Sequence, residues 1–371
     1  MRRVVRLELR TLATALIVVA GCRGANIVRH QIVSAPHSVG CAPGSCGDPR
    51  DVVSVTYLGI SGILVEHGDH ALLTAPFFTN PRFAGRGPRG FQWLRGGPRI
   101  APDSGVIERL LPRSADRASV ILVGHGHYDH LLDVPYVATH RTKSAVIFGG
   151  PSVGHMLMGD PDLRSAPNRV VTIPAERAGD QDRDGDWFYS SDSAFRFVAL
   201  IGGHAPTYKI GGWGFTFAAG KVRTDRDSLP HTAAQWKLGE PYAFLIDVLS
   251  DPPRHPIFRI YFQDAPSEPP LGFPSATVLA ARRVDLAILC AATSSNVTAA
   301  PESLVRVLRP AAVMVTHWES FFRSPLLAPS ISRATDLRQF ARSLRRSLPP
   351  KAGWVMPLPR QTIRFTATER L

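Results

Sequence analysis

From Val52 onward the chain falls into short apolar runs separated by glycine-containing turns. Val53–Leu58, Gly62–Glu66 and His70–Thr74 carry Val, Ile, Tyr and Thr in strand-like alternation and predict three strands. Ser119–Val123 is continuously apolar after its first residue, the pattern of a strand buried on both faces. Further strands are predicted at Ala145–Phe148, Val170–Ile173, Ala194–Ile201, Phe215–Phe217, Tyr242–Val248, Phe258–Phe262, Val284–Ala292 and Ala312–Thr316. Helical periodicity is confined to Ser104–Leu111, Ser275–Ala281, Pro301–Leu308 and Ala334–Leu348. A β-rich first half followed by alternating strands and helices predicts an α/β fold, with sheets packed inside a helical coat. Two stretches interrupt this order. Residues 76–104 form a long loop rich in Pro, Gly and Arg with Phe77, Phe78, Phe83, Phe91 and Trp93 among them, of a length that is often functional. The insert from Pro206 to Pro241 has no assignable role.

The N-terminal fifty residues do not share the pattern. Arg2, Arg3, Arg6 and Arg10 precede an apolar run, Leu12–Ala20, too short for a permanent membrane span but suited to a signal peptide. The run ends in Val19-Ala20-Gly21-Cys22, which resembles the bacterial lipobox, whose cysteine is acylated. The alternative is an ordinary signal peptide, or short anchor, that contains a Cys. The division expected is a signal segment at 1–22, a linker at 23–50 and one large domain at 51–371. The expected location is the cell envelope, on its periplasmic or extracellular face. Of the remaining cysteines, Cys41 and Cys46 either form a disulfide, which export permits, or stay as two thiols on a tether. Cys290 lies in an apolar run and reads as core.

The chain has 371 residues and a formal net charge of +13. Such a charge suits acidic headgroups or phosphate esters, or is simply a solvated surface. No nucleic-acid-binding motif accompanies it, so no nucleic-acid partner is expected. Neither a Gly-x-Ser-x-Gly elbow nor a Walker loop occurs. Asp180-Gln-Asp-Arg-Asp-Gly185 begins like a calcium loop, but Ser191 stands where the bidentate Glu belongs, which leaves a solvated acidic turn.

The chemistry concentrates in Val123-Gly-His-Gly-His-Tyr-Asp-His-Leu-Leu-Asp133, directly after the buried strand. His125 and His127, two apart on an extended loop, can point at one metal. Asp129 and His130 can reach a second. Imidazole and carboxylate are good ligands for zinc. His-x-His-x-Asp-His after a strand resembles the signature of the metallo-β-lactamase superfamily. That resemblance runs from about Val53 to Phe365 and implies an αββα sandwich with three further ligands at later strand ends. The sequence offers His204, Asp264 and His317 in that order. Carried over, His125, His127 and His204 hold one zinc ion, Asp129, His130 and His317 hold a second, and Asp264 bridges them. Manganese or iron in place of zinc stays open.

The resemblance implies a hydrolase in which metal-activated water attacks an ester, lactone, amide or phosphodiester, with Asp129 or Asp264 accepting the proton. His-Tyr-Asp-His-Leu and Thr-His-Trp-Glu are most similar to the branch that holds L-ascorbate-6-phosphate lactonase and N-acyl-phosphatidylethanolamine-hydrolysing phospholipase D. That favours a phosphodiester or lipid-like small-molecule substrate. Two departures are visible. Gln263 precedes Asp264 where Gly is usual, and Ala75 stands where relatives often carry Asp. The alternatives are a β-lactam hydrolase and a non-catalytic metal-binding envelope lipoprotein. A redox member would need an appended flavin domain or iron-ligand carboxylates, and no such domain is visible. Glu319, two residues after His317, is a candidate for supporting a ligand rather than being one, and Tyr128 for packing or orienting the ligand loop.

Overall fold

A computed structural model describes residues 39–41, 46, 48–81, 99–210, 213–252 and 254–367. The signal segment, most of the linker, and Phe83, Phe91, Trp93 and the arginines beside them lie outside the described residues. Two seven-stranded sheets make the fold. The first runs in the order β16 (Gln361–Thr366), β1 (Val52–Gly59), β2 (Gly62–His67), β3 (His70–Thr74), β4 (Ala118–Leu122), β5 (Val146–Gly149), β6 (Val170–Thr172). The second runs β15 (Gly353–Val355), β14 (Ala312–Thr316), β13 (Leu286–Cys290), β12 (Pro256–Gln263), β11 (Tyr242–Leu249), β8 (Phe195–Ile201), β7 (Phe188–Tyr189).

Strand periodicity decides what each sheet buries. Val55, Tyr57, Ile63, Val65, Leu72, Val120 and Leu122 face the inter-sheet core. Their sequence neighbours Leu58, Leu64, Leu73 and Ile121 pack in a separate cluster with Ile107, Leu131, Val153 and Leu157 from the covering helices. The sheets meet through rings: Phe148 of β5 lies 4.8 Å from Phe197 of β8, and Phe258 of β12 lies 5.4 Å from Phe365 of β16. On the second sheet's far side, Leu304, Val305 and Leu308 of the helix Glu302–Leu308 join Phe340 and Leu344 of Leu337–Ser347 in covering the strands. The layers are therefore helix, sheet, sheet, helix, the αββα sandwich that the sequence leads one to expect.

Ala312–Thr316 matches its predicted strand to the residue, and most other strands differ by one or two positions. One prediction fails in detail. Phe217 is not in a strand; the insert instead forms a hairpin, β9 (Tyr208–Ile210) with β10 (Trp213–Phe215). The helices Tyr128–Leu131 and Pro161–Ser165 are too short to show a helical period in the sequence, and Pro151–Leu157, likewise not predicted, carries Pro and Gly among its seven residues. Cys41 and Cys46 form a disulfide, and Cys41 N–H bonds the carbonyl of Arg364 in β16 at 2.8 Å. The end of the expected linker is thus sewn to the domain.

What positions the site is direction. β3, β4 and β5 are parallel, as are β12, β13, β14 and β15. The turn between β1 and β2 and the connection from β15 to β16 fall at the same end as their carboxyl termini. Loops from both sheets meet there.

Candidate metal centre

Each of the seven predicted ligands sits just past a carboxyl end of this kind. His125 and His127 follow β4, and Asp129 and His130 open the short helix Tyr128–Leu131. His204 follows β8, Asp264 follows β12 and His317 follows β14. The structure brings all seven together. They form three overlapping groups, His125/His127/His204, His125/His130/Asp264 and Asp129/His130/His317, with the ligand atoms of each within 4.8 Å of one another. Asp264 joins the outer two: its Oδ1 is 3.0 Å from His125 Nδ1 and its Oδ2 is 3.5 Å from His130 Nδ1. His317 Nε2 and His130 Nε2 lie 3.3 and 3.4 Å from Asp129 Oδ2.

The two glycines of the ligand loop have steric reasons. A Cβ at Gly124 would collide with the Asp264 carboxylate, and one at Gly126 with the Lys237 carbonyl and the Met156 methyl. Only glycine lets the loop lie this close to the Asp264 carboxylate.

All seven side chains are buried or nearly so. His127 Nε2 and His317 Nδ1 have no hydrogen-bond partner, and His130 Nδ1 and Asp264 Oδ2 have none beyond their mutual 3.5 Å contact. Under-partnered polar atoms in one buried cluster are costly unless a cation meets them. His204 Nδ1 lies 2.6 Å from the Ala205 carbonyl, an oxygen that can only accept, so Nδ1 carries the proton and Nε2 is left as the ligand atom. Electrostatics agree at His125, His127, His204 and Asp129, while burial alone would lower His130 but Asp129 and Asp264 raise it. Burial, reinforced by neighbouring imidazoles, holds His125 and His127 well below the ordinary range, and burial lowers His204 too, so these rings are neutral at pH 7. Burial alone would raise Asp129, but His130 and His317 more than offset it and keep it a carboxylate. Burial raises Asp264 against the pull of His130, His204 and His317. Neutral imidazoles and carboxylates are the donor set of a zinc-type or related divalent centre. The residues present fit a metal of this kind.

Support for the ligands comes from residues the motif does not contain. His317 has a left-handed backbone, φ +51°, and its N–H donates to Tyr57 Oη at 3.1 Å. Tyr57 in turn hydrogen-bonds Glu319, whose other oxygen accepts the Ile60 N–H at 2.9 Å. Glu319 therefore ties β14 to the first hairpin and is not among the candidate ligands. Asp133, one turn beyond His130, is fully buried and accepts N–H bonds from Phe78 and Thr79 at 2.6 and 2.9 Å. It pins the start of the long loop to the ligand helix. Asp133 was visible in the sequence as an acid among Leu131, Leu132 and Val134; nothing there tied Tyr57 to a residue 260 positions away. Tyr128 packs between Phe77 and Phe321, both at 6.1 Å, and Phe321 lies 5.3 Å from the His317 ring. Cys290 is buried and stands in none of the candidate metal groups.

No family model matches the chain, and no curated protein matches it. Among solved structures it is similar to Igni18, a metallo hydrolase from Ignicoccus hospitalis, at 14% identity and a TM-score of 0.45, over 85% of this chain and 100% of that one. It is similar to YhfI, a metallo-β-lactamase fold protein from Bacillus subtilis, at 12% identity and 0.43, over 85% and 100%. It is also similar to CmlA, a diiron β-hydroxylase from Streptomyces venezuelae, at 14% and 0.46, over 86% of this chain and 55% of that one.

Proposed function

We propose that this chain is a metal-dependent hydrolase of the metallo-β-lactamase type. The observation that carries the reading is the convergence of seven His and Asp side chains from both sheets on one buried cluster, with Asp264 between the two outer groups. His125, His127 and His204 would hold one ion, and Asp129, His130 and His317 the other. Divalent ions held there supply Lewis acidity and a lowered pKa for bound water. The protein's share is to keep the three imidazoles of the first group neutral and the Asp129 carboxylate ionised. Asp129 and Asp264 are the acceptors available for a proton from the attacking water. Zinc is the metal the donor set suits best, with manganese or iron as substitutes. The substrate class proposed is an ester, lactone or phosphodiester, including lipid-like ones. Its support is the wording of the His-Tyr-Asp-His-Leu and Thr-His-Trp-Glu segments and the +13 charge.

The test is metal analysis coupled to a hydrolysis screen over phosphodiesters, lactones and β-lactams. Two ions per chain are expected, with hydrolysis lost in Asp264→Ala. A protein that holds no metal when fully supplied would refute the centre. Turnover of β-lactams alone would move the substrate class to the alternative.

A further inference from the structure

The exposed apolar side chains of this protein are not scattered. Among the described residues ten large hydrophobics are exposed, and eight of them lie on connections at the carboxyl end of the sandwich, around the metal centre. Three belong to the hairpin β9–β10, which begins four residues after His204: Tyr208 is 62% exposed, Phe215 64% and Trp213 87%. The register pairs Phe215 directly with Tyr208, and Trp213 is two residues from Phe215, so the three share one face of the ribbon. Phe322, Leu326 and Leu327 follow His317 on the opposite rim, where Phe321 packs on the His317 ring. Leu358 lies in the β15–β16 connection, and Arg360 two residues on reaches the Pro325 carbonyl at 3.3 Å. Leu271 completes the ring beside Gly203.

A soluble surface carries single exposed apolar residues, but eight at one end of one domain mark a contact surface. Its composition says with what. Cations lie close by in the chain: Lys209 on the other face of the same hairpin, Arg323 next to Phe322, and Arg360 two residues from Leu358. Of the acids on these connections, Glu268 accepts the Thr298 N–H, Asp103 accepts the Val106 N–H and Asp225 pairs with His155, while Asp227 stays exposed. Aromatic rings flanked by Lys and Arg are the residues that settle at a bilayer's headgroup level, and a chain of net charge +13 is complementary to an anionic one.

We infer that the carboxyl end of the sandwich, with Trp213 as its most protruding ring, is a surface that docks on an anionic phospholipid bilayer and turns the metal centre toward it. An acyl anchor at Cys22 would keep the domain near such a surface, but the inference does not need it, nor does it need the hydrolase reading.

The experiment uses the full-length protein and vesicles of brominated phosphatidylglycerol mixed with phosphatidylcholine. Trp213 fluorescence is taken as the difference between wild type and Trp213→Phe. The expected result is a blue shift and quenching of that difference signal, unchanged when a chelator strips the metals, so that failure of the hydrolase reading would leave it standing. Lys209→Glu combined with Arg323→Glu should weaken the response by at least about thirtyfold. Vesicle-bound protein whose Trp213 is not quenched would overturn the inference. So would protection of Trp213 from acrylamide without vesicles, because the chain itself or a second copy would then cover the rim.

Discussion

At the scale of single residues, the centre depends as much on side chains that touch no ion as on those that would. Tyr57 is the clearest. Its hydroxyl accepts the N–H of His317 and binds Glu319, which holds the β1–β2 turn through Ile60. Phenylalanine at 57 leaves a buried N–H and a buried carboxylate oxygen without partners and frees the left-handed His317 to shift. The expectation is selective. Tyr57→Phe should weaken binding of the ion proposed for Asp129, His130 and His317 by about 10- to 100-fold. The ion on His125, His127 and His204 should be little changed. Titration against a chromophoric chelator resolves the two affinities. Thr56→Val is the control, because it removes the 2.7 Å bond from the neighbouring β1 residue to Thr362 of β16 without touching Tyr57, Glu319 or His317. Equal weakening of both ions by Tyr57→Phe would mean a general loosening of the fold.

At the scale of elements, Asp133 shows what the packing of a loop on a helix costs. Burial pushes its carboxyl from 3.8 to about 6, while the bonds from Thr79 and Phe78 pull the other way. The folded state thus holds this proton more tightly than the unfolded one. The sign follows: Asp133 favours folding fully below about pH 3.8, and that contribution is lost as pH rises through 6. From the shift, the loss amounts to on the order of 3 kcal/mol by pH 7. Asp133→Asn has no proton to lose and keeps an acceptor for the loop N–H groups. Its stability relative to wild type should therefore rise by about that amount between pH 4 and 7. Urea unfolding with chelator present checks this, since metal release then plays no part. A difference independent of pH would show that Asp133 is not the titrating group. Elements also explain the accuracy of the strand assignments. Continuous apolar runs such as Ala312–Thr316 are buried on both faces and stand out. The hairpin β9–β10 belongs to neither seven-stranded sheet, and all three residues of β10 are exposed. Its solvent-facing aromatics carry no burial pattern to read.

At the scale of the whole molecule, the domain closes on its own N-terminal side. The Cys41–Cys46 disulfide and the bond from Cys41 to β16 fasten the incoming chain to the sheet edge. Export and acylation at Cys22 are proposals from the sequence, and the disulfide suits an oxidising compartment. Mass spectrometry of protein from a bacterial host should find an N-terminus at Cys22 carrying acyl chains, and Cys22→Ser should abolish the modification. A mature N-terminus elsewhere, without lipid, would leave an ordinary signal peptide as the account of residues 1–22.

The sequence by itself determined the candidate ligands, because His-x-His-x-Asp-His is local and each later candidate follows a strand that its own apolar run announces. It also determined the layers, because period-two burial sorts each strand's residues between the core and the helices. Tertiary structure alone decided that the candidate ligands meet, since that depends on how two sheets packed through Phe148 and Phe197, ring centroids 4.8 Å apart, align their carboxyl ends. It decided that Gly124 must be glycine, because the colliding group is a carboxylate 140 residues away in the chain. It decided, too, that Tyr57 and Glu319 serve His317 and that the exposed aromatics ring the metal centre. Contacts between residues far apart in sequence leave no period and no motif in either partner.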